Sequence, residues 1–110
     1  MANTFTSYAN KDVGTSAATI LSGSSGVQTT LIGLSCANTS ASPVTVDAYV
    51  TRSAVNYYLI KGATVPVGGT LVIVGGDQKV VLTNGDSVKV VSSAASSIDV
   101  FASVLNILTV

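Results

Sequence analysis

Histidine and glutamate are both missing from this chain, and each absence narrows what it can be. Without histidine there is no imidazole to act as base for a serine or cysteine nucleophile, and no imidazole ligand for a metal. Without glutamate, and with leucine and lysine few, the strong helix formers are scarce. Charge is also thin: five bases and five acids make up 9% of the residues and cancel to zero. The bases Lys11, Arg52, Lys61, Lys79 and Lys89 stand singly, so no basic stripe exists for nucleic acid to bind. No apolar run approaches the roughly 20 residues that a membrane-spanning helix needs. The start, M-A-N-T-F-T-S-Y, shows no basic region followed by an apolar one, so no secretory signal is expected. One cysteine, Cys36, cannot staple a small fold by itself. It sits in L-I-G-L-S-C-A-N and reads as buried packing, in a chain made in a reducing cytoplasm or joined to an assembly that replaces disulfides.

What is present is valine, the commonest residue, with serine and threonine making about a quarter of the chain. Valine and threonine suit a pleated, half-buried backbone. The polarity therefore comes from short hydroxyls, while 47% of residues are hydrophobic and mean hydropathy is +0.60. A chain of 110 residues is one domain, able to hide roughly 65% of its unfolded surface but with little room for a deep cleft. So sparsely charged a surface is poor for a lone soluble molecule. It suits a protein packed against copies of itself or a partner.

Along the chain, residues 1–12 read as an N-terminal strand or arm and 13–110 as a β-sandwich domain. Val13–Leu21 reads as a strand, Ser22–Gly26 (S-G-S-S-G) as a flexible loop, and Val27–Ala37 as a central strand. N-T-S-A-S before Pro43 is a turn. Val44, Val46, Ala48 and Val50 alternate with Thr45, Asp47, Tyr49 and Thr51, the cleanest two-residue period in the sequence. Arg52-Ser53-Ala54 then turns into Val55–Lys61, predicting a hairpin. Asn84-Gly85, between Val80–Leu82 and Val88–Val90, predicts a second hairpin of type I′. Ile98 onward, I-D-V-F-A-S-V-L-N-I-L-T-V, is apolar on both parities; a helix competes, but its β-branched content predicts a strand, either central in a covered sheet or buried by another subunit. The sum is an all-β, single-domain antiparallel β-sandwich, jelly-roll-like, of about eight or nine short strands.

The glycine pairs in V-P-V-G-G-T-L-V-I-V-G-G-D-Q-K-V-V-L raise the question of a phosphate loop. Such a loop needs lysine and a hydroxyl directly after its last glycine, followed by a helix. Here Asp77 follows Gly76, Lys79 precedes Val80, and the segment beyond is β-like. Gly68-Gly69 and Gly75-Gly76-Asp77 read as corners. Asp12, Asp47, Asp77, Asp86 and Asp99 are isolated in sequence, and Asp77 and Asp86 fit turns in which the carboxylate bonds nearby amides. No enzyme activity, catalytic residue, cofactor or metal is expected. The candidate residues are instead large rings suited to an interface: Phe5, Tyr8, Tyr49, Tyr57, Tyr58 and Phe101.

M-A-N-T-F, L-I-G-L-S-C-A-N-T-S, T-V-D-A-Y-V-T-R, the glycine-rich segment above and S-S-A-A-S-S-I-D-V-F-A-S-V-L-N-I resemble a family of small virion structural proteins of tailed bacteriophages, notably marine and cyanobacterial ones. The likeness runs over nearly the whole chain and carries no catalytic signature. It implies a structural component of a virion. Together with the composition it favours a capsid decoration (cement) protein on the outer surface of the particle. Such a protein would be made in the host cytoplasm and would clamp the shell by multivalent apolar contacts. Its expected partners are itself, as a homo-oligomer and most simply a trimer, and the major capsid protein or another virion protein. The alternatives are a neck, tail or fibre component, and a module binding host-surface glycans or receptors through Tyr49, Tyr57 and Tyr58.

Overall fold

The structure is a computed structural model and describes residues 3–75 and 78–108. Nine strands form among them: β1 (Asn3–Val13), β2 (Ala18–Ser22), β3 (Val27–Asn38), β4 (Val44–Arg52), β5 (Val55–Val65), β6 (Thr70–Val74), β7 (Val80–Leu82), β8 (Ser87–Ser92) and β9 (Ile98–Leu108). They build two antiparallel sheets. The first has the order β1-β9-β3-β6, with β7 also on β3, and the second has the order β2-β8-β4-β5. Because β9 runs along one edge of β3, β6 and β7 share the other, β6 against Leu34–Ala37 and β7 against Thr29–Leu31. They act as one interrupted edge strand.

The pairing is nested. Folding the chain back at the β4–β5 turn sets β4 on β5, β3 on β6 and β7, β2 on β8, and β1 on β9. Rolling that long hairpin then inserts β9 between β1 and β3, and β8 between β2 and β4. This is the jelly roll expected from the strand count and spacing.

Alternation decides what lies inside. Val46, Ala48 and Val50 of β4 and Val88 and Val90 of β8 meet Leu31, Leu34 and Cys36 of β3 and Val100, Ala102 and Val104 of β9 in one buried cluster. Each valine or leucine among them contributes roughly 2 kcal/mol by leaving water.

Turn chemistry departs from the sequence reading at several points. The β4–β5 hairpin is present and its two loop residues, Ser53 and Ala54, both take positive φ, 53° and 63°. That is the primed turn whose twist matches the strands. It forms here without glycine or asparagine, whereas Asn84-Gly85, which has the residues for it, does not make one. Asp86 N donates to Thr83 O at 3.0 Å, and of the two central residues only Gly85 has positive φ, 91°, so this is a type II turn. The strands beside it do not pair with each other: β7 lies on β3 and β8 between β2 and β4. The turn is a corner between sheets. Gly68 (φ 71°), in the turn closed by Gly69 N to Pro66 O at 2.9 Å, makes the same crossing from β5 to β6.

Val13–Leu21 is two strands, not one. β1 runs as far as Val13, and the chain then changes sheets before β2 begins at Ala18. β5 extends past Lys61 to Val65. Gly75 ends β6, whereas Gly76 and Asp77 lie outside the described residues, as do Thr109 and Val110. Ile98–Leu108 is a strand, not a helix.

Candidate functional site

The two outer faces of the sandwich differ in chemistry. In the first sheet, cross-strand partners set up rows of side chains. Ala9 lies beside Phe101, Phe101 beside Ser35, and Ser35 beside Val72. Phe5 lies beside Leu105, Leu105 beside Thr30, and Thr30 beside Val81. Phe5 and Phe101 are 74% and 53% exposed, and Val72 and Val81 are exposed as well. Serine and threonine fill the space between these anchors. Among the five strands the charged residues are Lys11, Asp12 and Asp99, all at one end. There Asp99 accepts from Asp12 N at 3.1 Å and pairs with Lys11 at 3.5 Å, and Asp12 takes the left-handed φ of 58° that a short polar side chain tolerates.

In the second sheet the outer face is charged and its rings are engaged. Tyr49 is buried under Tyr58, ring centroids 5.0 Å apart and tilted by 46°. Lys61 Nζ lies 4.7 Å from the centroid of the Tyr58 ring, a cation–π geometry. Asp47 Oδ1 accepts from Gly62 N at 2.7 Å, fixing a bulge where β5 slips against β4. Tyr57, opposite Val50, faces an open depression of about 240 Å³ between β5 and β7, bounded by Val50, Arg52, Leu59, Val80 and Val81.

The six candidate rings therefore occupy three places. Phe5 and Phe101 share the neutral face. Tyr57 and Tyr58 are exposed on β5, at the far edge of the other sheet. Tyr8 and Tyr49 are not free rings: Tyr8 packs from β1 against the core, and Tyr49 lies beneath Tyr58. Val72 and Val81, exposed on the neutral face, were not singled out by sequence; the signal was available, because β6 and β7 are apolar on both parities.

The carboxylates of Asp47, Asp86 and Asp99 are held in structural roles. Asp86, 1% exposed, accepts from Arg52 Nε at 2.8 Å, Arg52 Nη2 at 2.6 Å, Thr83 N at 2.9 Å and Thr83 Oγ1 at 3.1 Å. The hydrogen-bonded Arg52 guanidinium, aided by Thr83, holds its carboxyl well below the usual range against the opposing effect of burial. Among the described residues no three histidine, cysteine, aspartate or glutamate side chains gather where a metal would bind. Cys36 is fully buried, and burial pushes its thiol up to about 12.

No protein-family model matches the sequence, and no curated protein matches it. Among solved structures the fold is similar to a chain from work describing Bacillus endospore appendages as a novel family of disulfide-linked pili. The TM-score is 0.58 at 14% identity, over 99% of this chain and 88% of that one. At that identity the likeness bears on the fold alone.

Proposed function

We propose that the chain is a structural protein of a phage virion, a decoration protein that packs onto the outer shell and strengthens it without chemistry. The observation that carries this reading is the neutral outer face of the first sheet. Phe5, Phe101, Val72 and Val81 stand exposed among small hydroxyls, and within the five strands charge is confined to one end. An interface core is depleted in charge because desolvating ions is costly, and aromatic anchors supply its area. Repetition by symmetry then makes a modest patch per copy sufficient. The resemblance to virion proteins supports the setting.

A second reading, a neck, tail or fibre component, draws on the similar fold of the pilus chain, a protein of a filamentous appendage. Gel densitometry of purified particles separates the two. A copy number that grows with shell area supports decoration; a small fixed number per particle moves the protein to neck or fibre; absence from particles overturns both. A Phe101→Asp, Val72→Asp double variant is expected to remain folded and to lose incorporation. Normal incorporation of that variant would remove this face from the contact. If Tyr57→Ala with Tyr58→Ala leaves particles intact but abolishes adsorption to the host, receptor binding is the function.

A further inference from the structure

We propose that the free edge of β1 pairs, antiparallel, with β1 of a second copy, joining two copies of the first sheet into one. The inference does not rest on the virion reading. It starts from a comparison of strand edges. A long, flat, uncharged edge invites another strand, and proteins normally blunt it with shortness, bulges, charge or proline. Three sides of this sandwich are blunted. β2 is five residues long and slips in register between Thr19 and Leu21. β6 and β7 are five and three residues long. β5 slips twice against β4 and carries Lys61.

β1 is not blunted. Its pairing with β9 is unbroken from Asn3 to Asn10, with the shift falling only beyond Asn10. Asn-Thr-Phe-Thr-Ser-Tyr-Ala-Asn holds no charge and no proline. Charge sets the direction. A parallel, in-register pair would place Lys11 beside Lys11 and Asp12 beside Asp12, whereas an antiparallel pair sends these residues to opposite ends.

Geometry narrows the register further. The two copies present their outer faces on one side only when each residue opposes another of the same parity. A two-fold axis must therefore pass through a residue, and the charge-free overlap is longest with Thr6 or Ser7 on it. With the axis at Ser7, Phe5 lies beside the partner's Ala9, and the neutral faces of both copies become continuous.

The test uses the full chain with single cysteines placed in turn from residue 3 to residue 10, under mild oxidation. Cys36 is fully buried and stays silent. Sedimentation velocity is expected to show the unmodified chain passing from 11.0 kDa to twice that mass as concentration rises. Covalent dimer should peak at one position, Thr6→Cys or Ser7→Cys, and fall away on both sides. Ser7→Lys, on the solvent side of the strand, should weaken the dimer about fivefold without changing the melting temperature at concentrations where the chain is monomeric. A chain that stays at 11.0 kDa at every concentration overturns the proposal. So does a dimer cross-linked only at the outward positions Phe5, Ser7 and Ala9, which would mean face-to-face packing, or one that no β1 cysteine captures.

Discussion

The two ends of the sandwich are each fastened by a single buried side chain making four hydrogen bonds, one neutral and one charged. At one end Asn38, 3% exposed, donates from Nδ2 to Ser42 O at 2.9 Å and Val65 O at 3.0 Å. Its Oδ1 accepts from Ser40 N at 2.9 Å and Ser40 Oγ at 2.7 Å. Around it the loops close with hydroxyls and amides: Ser92 Oγ meets Ser97 Oγ at 2.6 Å, and Thr39 N donates to Ser97 O at 2.9 Å. At the other end Asp86 gathers the Arg52 guanidinium and both polar groups of Thr83, while Gly23 N donates to Asp86 O at 2.8 Å. Asparagine can serve two carbonyls and two donors at once. A carboxylate serves only donors, and here it has only donors around it. Each site thus rejects the other's residue, although the two differ by one atom.

Exchanging them gives the largest expected effects. Asn38→Asp turns a carboxylate toward two carbonyls and should cost roughly 4 kcal/mol at neutral pH, measured by urea unfolding. Asp86→Asn faces an NH₂ toward the Arg52 and Thr83 donors and should cost roughly 3 kcal/mol. Gly23→Ala comes next. A Cβ there would run into the Thr83 carbonyl oxygen, so the corner must move, at roughly 2 kcal/mol.

The pH response should separate the ends. The folded Asp86 carboxyl titrates below its ordinary value of 3.8, so its contribution is complete above that value and is lost as pH falls below it. Acid melting curves of Asp86→Asn should accordingly flatten below about pH 4 relative to the unmodified chain. Asn38→Ala should shift the curve down equally at every pH. Smallest is a gain: Ala54→Gly, at φ 63°, should stabilise the hairpin by about 1 kcal/mol, read as a higher melting temperature.

How much of this was legible follows from how local each cause is. The two-residue alternation of Val44–Thr51 and the apolar runs of β3 and β9 mark strands within a few residues of their ends, because burial of alternate side chains is a local pattern. Asn84-Gly85 marks a turn for the same reason. Whether the flanking strands then pair is decided by the roll of the whole chain, and β7 is claimed by β3. The break inside Val13–Leu21 was hidden because Gly14-Thr15-Ser16-Ala17 looks like any other small-residue stretch. S-G-S-S-G read as flexible, yet Gly23 is held by a hydrogen bond and a close backbone approach that only the folded corner creates. For Asp86 the nearby Thr83 amide was foreseeable. Arg52, 34 residues away, was not. Of the candidate rings, exposure of Phe5 and Phe101 follows from strand parity, but the covering of Tyr49 depends on register with β5.

The sealed sulfur of Cys36 bears on how any contact made by this chain would age. No thiol of its own reaches the surface, because Cys36 is its single cysteine and lies buried. A complex of the kind proposed above would stay under mass action: labelled and unlabelled subunits should trade places, and dilution should loosen what concentration built.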